Sequence, residues 1–171
     1  DSYKQNNALM QKIVWEQTER RKSELEVLQS QINPHFCYNS LSSIMVLAEN
    51  GDTDTVEKMC RNLSRIMRYI TNTAETTVTL REELDYVQKY LYCMKVRYQS
   101  SLNYSIDVDE SLLDQPVPKL IIQPIVENAI RYGSNCAPPW NISITSVVTE
   151  GSWQIEVTDS GPGFTEEAKE R

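Results

Sequence analysis

Apolar residues recur at helical spacing up to about residue 100 and alternate with polar ones thereafter, so the repeat shortens from about 3.6 residues to about two. Residues 2–29 hold neither Gly nor Pro and predict one long helix. Its apolar stripe is thin: Leu9, Ile13, Leu25, Leu28 and Ile32 keep helical spacing, but Glu16 to Glu24 is almost wholly polar. Such a helix needs partners, as in a coiled coil or bundle. After Pro34 the face broadens through Phe36, Leu41, Ile44, Met45, Leu47 and Ala48, and it stops at Asn50-Gly51-Asp52, a terminator and turn. A second amphipathic helix starts near Thr53 and carries Val56, Met59, Cys60, Leu63, Ile66, Met67 and Ile70. Two such helices joined by a short turn predict a hairpin with one apolar stripe left over, and hence dimerisation into four helices.

Thr79-Leu80-Arg81-Glu82 has the form of a capping box, so a third helix begins there, lined by Leu84, Val87, Leu91 and Met94 and ending between Tyr98 and Ser101. Beyond it Tyr104, Ile106 and Val108 alternate, as do Ile142 and Ile144, then Trp153, Ile155 and Val157. Between the first two strands lies Pro118 to Gly133, with Pro118 placed as a first-turn proline and Gly133 as a helix end. The fold class is thus mainly α, then α+β. Three regions are expected: a signalling or coiled-coil helix over 1–28, dimerisation helices over 29–100, and an α/β region over 101–171.

Composition narrows the class. The 171 residues carry 17 Lys and Arg against 24 Asp and Glu, a net charge of −7, which argues against nucleic acid as a partner. No run approaches the roughly 20 apolar residues of a membrane span, and no basic leader precedes an apolar stretch. Cys37, Cys60, Cys93 and Cys136 are far apart with no C-x-x-C pair, so four buried, reduced thiols are expected rather than zinc or disulfides.

The one histidine, His35, sits in Gln31-Ile32-Asn33-Pro34-His35-Phe36-Cys37-Tyr38-Asn39-Ser40-Leu41. A ring with an ordinary pKa of about 6.5 is poised as a nucleophile at neutral pH. Pro34 cannot donate to the carbonyl of Ser30, so it is expected to bend or loosen the helix beside the ring. Asn33 and Asn39 are the neighbours placed to orient it. Downstream, Glu127-Asn128-Ala129 puts an amide expected to be buried on an apolar helix, its oxygen a hard ligand suited to Mg²⁺. Asp159-Ser160-Gly161-Pro162-Gly163 follows a strand, with a carboxylate able to accept from an exocyclic amine and glycines that admit close approach. No G-x-x-x-x-G-K-[ST] is present, and Gly161-x-Gly163-x-x-Glu166 lacks the third glycine of a dinucleotide fingerprint.

Taken in order, these segments resemble sensor histidine kinases of the LytS/YesM type. Gln31 to Leu41 is similar to Q-I-N-P-H-F-x-[FY]-N-x-L, Gln123 to Ile130 to Q-P-x-V-E-N-A-I, and Asp159 to Gly163 to D-x-G-x-G. Leu80 to Leu84, Tyr90-Leu91 and Arg97-Tyr98 also look like the family's linker helix. The resemblance implies a dimeric four-helix bundle followed by a Bergerat-type (GHKL) α/β sandwich that binds ATP with Mg²⁺. His35 would be phosphorylated and then pass the phosphoryl group to an aspartate on a response regulator receiver domain. Asn128 would coordinate the Mg²⁺ that bridges the ATP phosphates, with Glu127 as its partner. Asp159 would read the adenine amine, Gly161 and Gly163 would begin a mobile lid, and Arg131 and Tyr132 would lie near phosphate or base.

The resemblance further implies a homodimer in the cytoplasmic part of a bacterial plasma-membrane sensor, reaching the membrane only through an upstream segment. Departures are Phe36, where many histidine kinases place an acidic residue, and Tyr132, where the pattern leads one to expect histidine. The sequence to Arg171 does not include the family's second glycine-rich box, the rest of its lid or its closing strands, so a truncated ATP domain that binds ATP weakly or not at all is expected. Two other readings use the same residues: a GHKL ATPase or protein serine kinase, and a non-enzymatic dimeric scaffold. The N-P-H-F segment on a helical hairpin speaks against the first.

Overall fold

The computed structural model describes residues 33–163, together with Lys12, Glu16 and Gln17. Those three are helical, and Lys12 pairs with Glu16 one turn on; the rest of the expected long helix over 2–29 lies outside the described residues. Contacts divide the chain into two units, Asp1–Phe36 and Cys37–Arg171.

Helix α1 spans Pro34–Glu49 and α2 spans Thr53–Thr71. Between them Gly51 takes φ +75°, a left-handed conformation that glycine adopts without a Cβ penalty, and Asp52 caps α2 by accepting from the Thr55 amide at 3.1 Å. Helix α3, Leu80–Tyr98, opens with the expected capping box: Thr79 Oγ1 accepts from the Glu82 amide at 3.3 Å, while Glu82 Oε2 accepts from the Thr79 amide at 2.8 Å. Its buried face includes Leu80, Leu84, Val87, Leu91 and Met94.

Helix α2 lies antiparallel on α3, since the Lys58 ammonium sits 4.3 Å above the Tyr92 ring near one end and Tyr69 stacks on Tyr86 at 4.7 Å near the other. Met59, Ile66 and Ile70 are the α2 side chains this packing helps to bury. Helix α3 also packs on the strand that follows it, so the helical and sheet halves share one core.

Two short strands frame the entry to α3: β1 (Thr77–Thr79) pairs antiparallel with β3 (Pro116–Pro118). Pro118 therefore ends a strand, where a first-turn helical position was expected. The helix begins later, as α4 (Gln123–Gly133), and Pro124 takes the first-turn place that a residue without an N–H fills at no cost. Gly133 ends α4 as expected.

The main sheet has the order β2 (Leu102–Asp107), β4 (Trp140–Thr149), β5 (Ser152–Asp159), with β2 parallel to β4 and β4 antiparallel to β5. A parallel pair needs a crossover, and the β2–β4 connection carries α4. Register puts Tyr104, Ile142 and Asp159 in one row and Ile106, Ile144 and Val157 in the next, all on one face. Ile142 and Ile144 are buried, and α4 packs against β4 and β5. The opposite face carries Asn103, Asn141, Ser105, Ser143, Thr158 and Glu156, which is the polar half of the alternation. The architecture is thus helices followed by a mixed α/β layer.

The cysteines depart from expectation. Only Cys93 is buried; Cys37 and Cys136 are half-buried, and Cys60 is exposed because it falls beside the packed stripe of α2 rather than on it. None of the described helices is long and apolar enough to cross a membrane.

Candidate functional site

His35 stands exposed in the first turn of α1. Asn33 is non-helical, and its Oδ1 accepts from the Phe36 amide at 3.3 Å, so it acts as the N-cap. Pro34 accordingly starts α1 instead of bending it: at the first helical position its missing N–H leaves no hydrogen bond unmade. Asn33, expected to orient the ring, spends its carbonyl oxygen on the cap. Asn39 lies one turn beyond His35, half-buried.

On α4 the buried face is Val126, Ala129, Ile130 and Gly133, with Gln123 at its start. Asn128 falls on the other side and is exposed, against the expectation of a buried amide. The reason is angular. With Val126 and Ala129 facing the sheet, Asn128 is turned some 160° away from Val126 and some 100° away from Ala129. Arg131 and Tyr132 follow Asn128 at the three- and four-residue spacings that share a helix surface, and both are exposed, the Arg131 guanidinium lying 5.8 Å from the Tyr132 ring centre. Glu127 is half-buried, and its Oε1 accepts from Gln123 Nε2 at 2.6 Å.

Asp159 closes β5 beside Ile142, on the sheet face that α4 covers. Its Oδ1 accepts from the Gly161 amide at 2.7 Å, which fixes the carboxylate in an Asx-type turn. Ser160 is held on both sides by Asn141, donating its amide to the Asn141 carbonyl at 3.1 Å and accepting the Asn141 amide on Oγ at 2.9 Å. Gly161 leaves room for the Asp159 carboxylate: a Cβ there would come within 2.5 Å of Asp159 Oδ1, which would have to swing aside, and would lie 3.5 Å from the Gly133 backbone. Gly163 takes φ +74°. The close approach of Gly161 to Gly133 seats the D-x-G-x-G loop on the C-terminal end of the helix that bears Asn128, Arg131 and Tyr132.

Among the described residues no cluster of three or more His, Cys, Asp or Glu could hold a metal by itself. The one hard amide oxygen of Asn128 suits an ion that keeps most of its coordination for water and phosphate oxygens, which is how Mg²⁺ binds with nucleotides.

Sequence reasoning passed over Glu83. It is fully buried, yet its carboxylate accepts from the Tyr69 hydroxyl at 2.7 Å and from the amides of Leu120 at 2.9 Å and Ile122 at 3.0 Å. The signal was present, because Glu83 shares the apolar stripe of Leu80, Leu84 and Val87, where a carboxylate has to find donors.

The order of helices followed by a mixed α/β layer agrees with what similarity shows. A family model described as histidine kinase matches residues 23–102. The sensor histidine kinase YesM of Bacillus subtilis is 36% identical over 162 residues, covering 94% of this chain and 28% of that protein. An uncharacterized sensor-like histidine kinase of Staphylococcus epidermidis is 33% identical over 167 residues, 96% of this chain and 32% of its own length. The sensor protein kinase HptS of Staphylococcus aureus is 28% identical over the same length and shares. The chain belongs to the histidine kinase family. Within it, the chain is of the LytS/YesM type, and it spans under a third of the length of these relatives.

Proposed function

We propose that this chain is the phosphoacceptor and nucleotide-binding part of a two-component sensor kinase, which phosphorylates His35 from ATP and passes the group to a receiver-domain aspartate. The observation that carries the reading is the seating of the Asp159–Gly163 loop against Gly133, at the end of the Asn128 helix. A carboxylate held by its own loop offers a fixed acceptor for an adenine amine, and the exposed side of α4 offers an amide oxygen and a guanidinium to phosphates.

Asn128 is the residue that would hold Mg²⁺, with Glu127, braced by Gln123, behind it. When bound, Mg²⁺ supplies positive charge against the phosphate oxygens. The chain's own task is presentation of His35. A lone pair on a ring nitrogen forms the N–P bond as the bond from the γ-phosphorus to the β,γ-bridging oxygen breaks, with ADP taking that electron pair. The proton on the resulting imidazolium then passes to solvent or a base. In the second step an aspartate oxygen attacks the same phosphorus, and the ring nitrogen recovers its lone pair.

The homodimer is supported by exposed apolar side chains on α1. Tyr38, Leu41 and Met45 are 70%, 51% and 65% exposed and fall at helical spacing, a stripe suited to a four-helix bundle built from α1 and α2 of two copies. A GHKL-type ATP domain, a cytoplasmic position and attachment to a plasma membrane through an upstream segment complete the proposal. The test is incubation of a protein carrying the whole ATP-binding region with γ-³²P-labelled ATP. Acid-labile, base-stable label that disappears in His35→Gln is the expected result; label that survives this substitution refutes it.

A further inference from the structure

The helix that bears Asn128 lacks a cap of its own. Its N-cap residue is Ile122, whose side chain cannot accept a hydrogen bond, so the amides entering α4 need an acceptor from elsewhere. Glu83 of α3 supplies it, with Oε1 taking the Ile122 amide and Oε2 the Leu120 amide. A negative charge at a helix N-terminus also suits the helix dipole.

Leu120 sits at φ +61°, a left-handed conformation that a branched aliphatic side chain rarely adopts and that persists only when neighbours hold it. The hydrogen bond from its amide to Glu83 is such a hold. None of the described lysines or arginines pairs with Glu83, so its charge is offset by three hydrogen-bond donors alone. The third donor is the Tyr69 hydroxyl, which comes from α2, the helix following the one that carries His35. Tyr69 is itself fixed by its stack on Tyr86 and by the Lys119 ammonium 4.7 Å from its ring centre.

The geometry points to Glu83 as a positioning residue for the kinase reaction: it caps the nucleotide helix from outside and, through Tyr69, ties that helix to α2, which a short turn joins to the helix that carries His35. Glu83 sets the seat of α4, and with it the placement of Asn128. The Tyr69 hydrogen bond links that seat to α2. Loss of the carboxylate therefore weakens the hold on nucleotide, whereas loss of the phenol leaves that hold intact and slows phosphoryl transfer.

The catalytic half of this inference rests on the kinase reading, but the capping half does not, and two measurements keep them apart. Amide hydrogen exchange on this chain compares wild type with Glu83→Gln, which leaves one acceptor oxygen and sets a carboxamide NH2 donor against the remaining donors. Exchange at Leu120 and Ile122 is expected to speed up about tenfold or more, while the β4–β5 hairpin stays near wild type. Unchanged exchange, or an equal rise everywhere, overturns the cap. Autophosphorylation kinetics on a protein with the whole ATP-binding region form the second arm. Glu83→Gln is expected to raise the KM for ATP severalfold, and Tyr69→Phe to lower kcat severalfold at unchanged KM. If Glu83→Gln does not fold, Tyr69→Phe decides by itself, and wild-type values of both constants overturn the tie. A wild-type protein that takes no label on His35 refutes the kinase reading, and the exchange result still decides the cap.

Discussion

Gly161→Ala should separate the fold of this chain from its proposed nucleotide site. The added Cβ would lie 2.5 Å from Asp159 Oδ1, closer than real Cβ contacts come, so the carboxylate must swing away and give up its 2.7 Å bond from the Gly161 amide. The nearest Gly133 atoms, at 3.5 Å, are at ordinary contact distance and add no clash. Because the turn is exposed, water can take over the freed amide, and the cost in stability is about 1 kcal/mol. The cost at the site is larger. A charged acceptor no longer aimed at the adenine amine forfeits roughly 1.5–3 kcal/mol, or about 10- to 150-fold in affinity.

Thermal unfolding of this chain reads the first quantity, and calorimetric titration of Mg-ATP into a protein with the whole ATP-binding region reads the second. Gly133→Ala is the stability control. A Cβ there meets nothing nearer than Trp140 Cβ at 3.9 Å, and alanine in a helix is worth about 0.5–1 kcal/mol over glycine. Wild-type nucleotide affinity in Gly161→Ala would refute the assignment of Asp159 as a held reader of the base. A loss of stability as large as that of a core truncation would refute the claim that the loop and the fold are separable.

Other outcomes follow from the core, the thiols and the capping box. Leu91 is fully buried in α3, and Leu91→Ala should cost about 2–5 kcal/mol by urea unfolding; a loss under about 1 kcal/mol would contradict its place in the core. Burial pushes the Cys93 thiol up to about 12 and raises Cys37 as well, so exposed Cys60 should react first with a thiol reagent in the native protein and Cys93 only on unfolding, as followed by mass spectrometry. The Thr79 amide and then the Thr79 hydroxyl hold the Glu82 carboxyl below its ordinary range, so the stabilisation is complete above the unfolded value of about 4.3 and is lost as pH falls through the lower folded value. Thr79→Ala should cost about 1 kcal/mol at neutral pH, and Glu82→Gln, which removes the titrating group, should flatten that acid limb in pH-dependent thermal melts; a limb unchanged in Glu82→Gln would rule the pair out as its source.

Helices α1, α2 and α3 were legible because their signals are local. Asn50-Gly51-Asp52 ends one helix and starts the next, and Thr79 with Glu82 satisfies two amides within four residues, so neither feature depends on distant chain. The alternating strands were legible for the same reason. The start of α4 was not. Pro118 and Pro124 both suit a first turn, and the choice between them falls to β1, which pairs with Pro118, and to Glu83, which takes the amides of Leu120 and Ile122. Both partners lie more than 35 residues away in sequence.

The candidate site residues divide along the same line. Short motifs named His35, Asn128, Asp159 and Gly161, since the chemistry of each can be stated from its own side chain and immediate neighbours. Which way a side chain faces is a property of packing. Asn128 came out exposed because Val126 and Ala129 took the sheet, and Pro34 began a helix because Asn33 turned back to cap it. By itself, the sequence determined the three motifs, the change of period and the helix ends that close within a few residues. Only the tertiary structure decided where α4 begins, what Glu83 holds and that Gly161 meets Gly133, because each depends on backbone groups brought together by distant chain, and no local pattern encodes such a meeting.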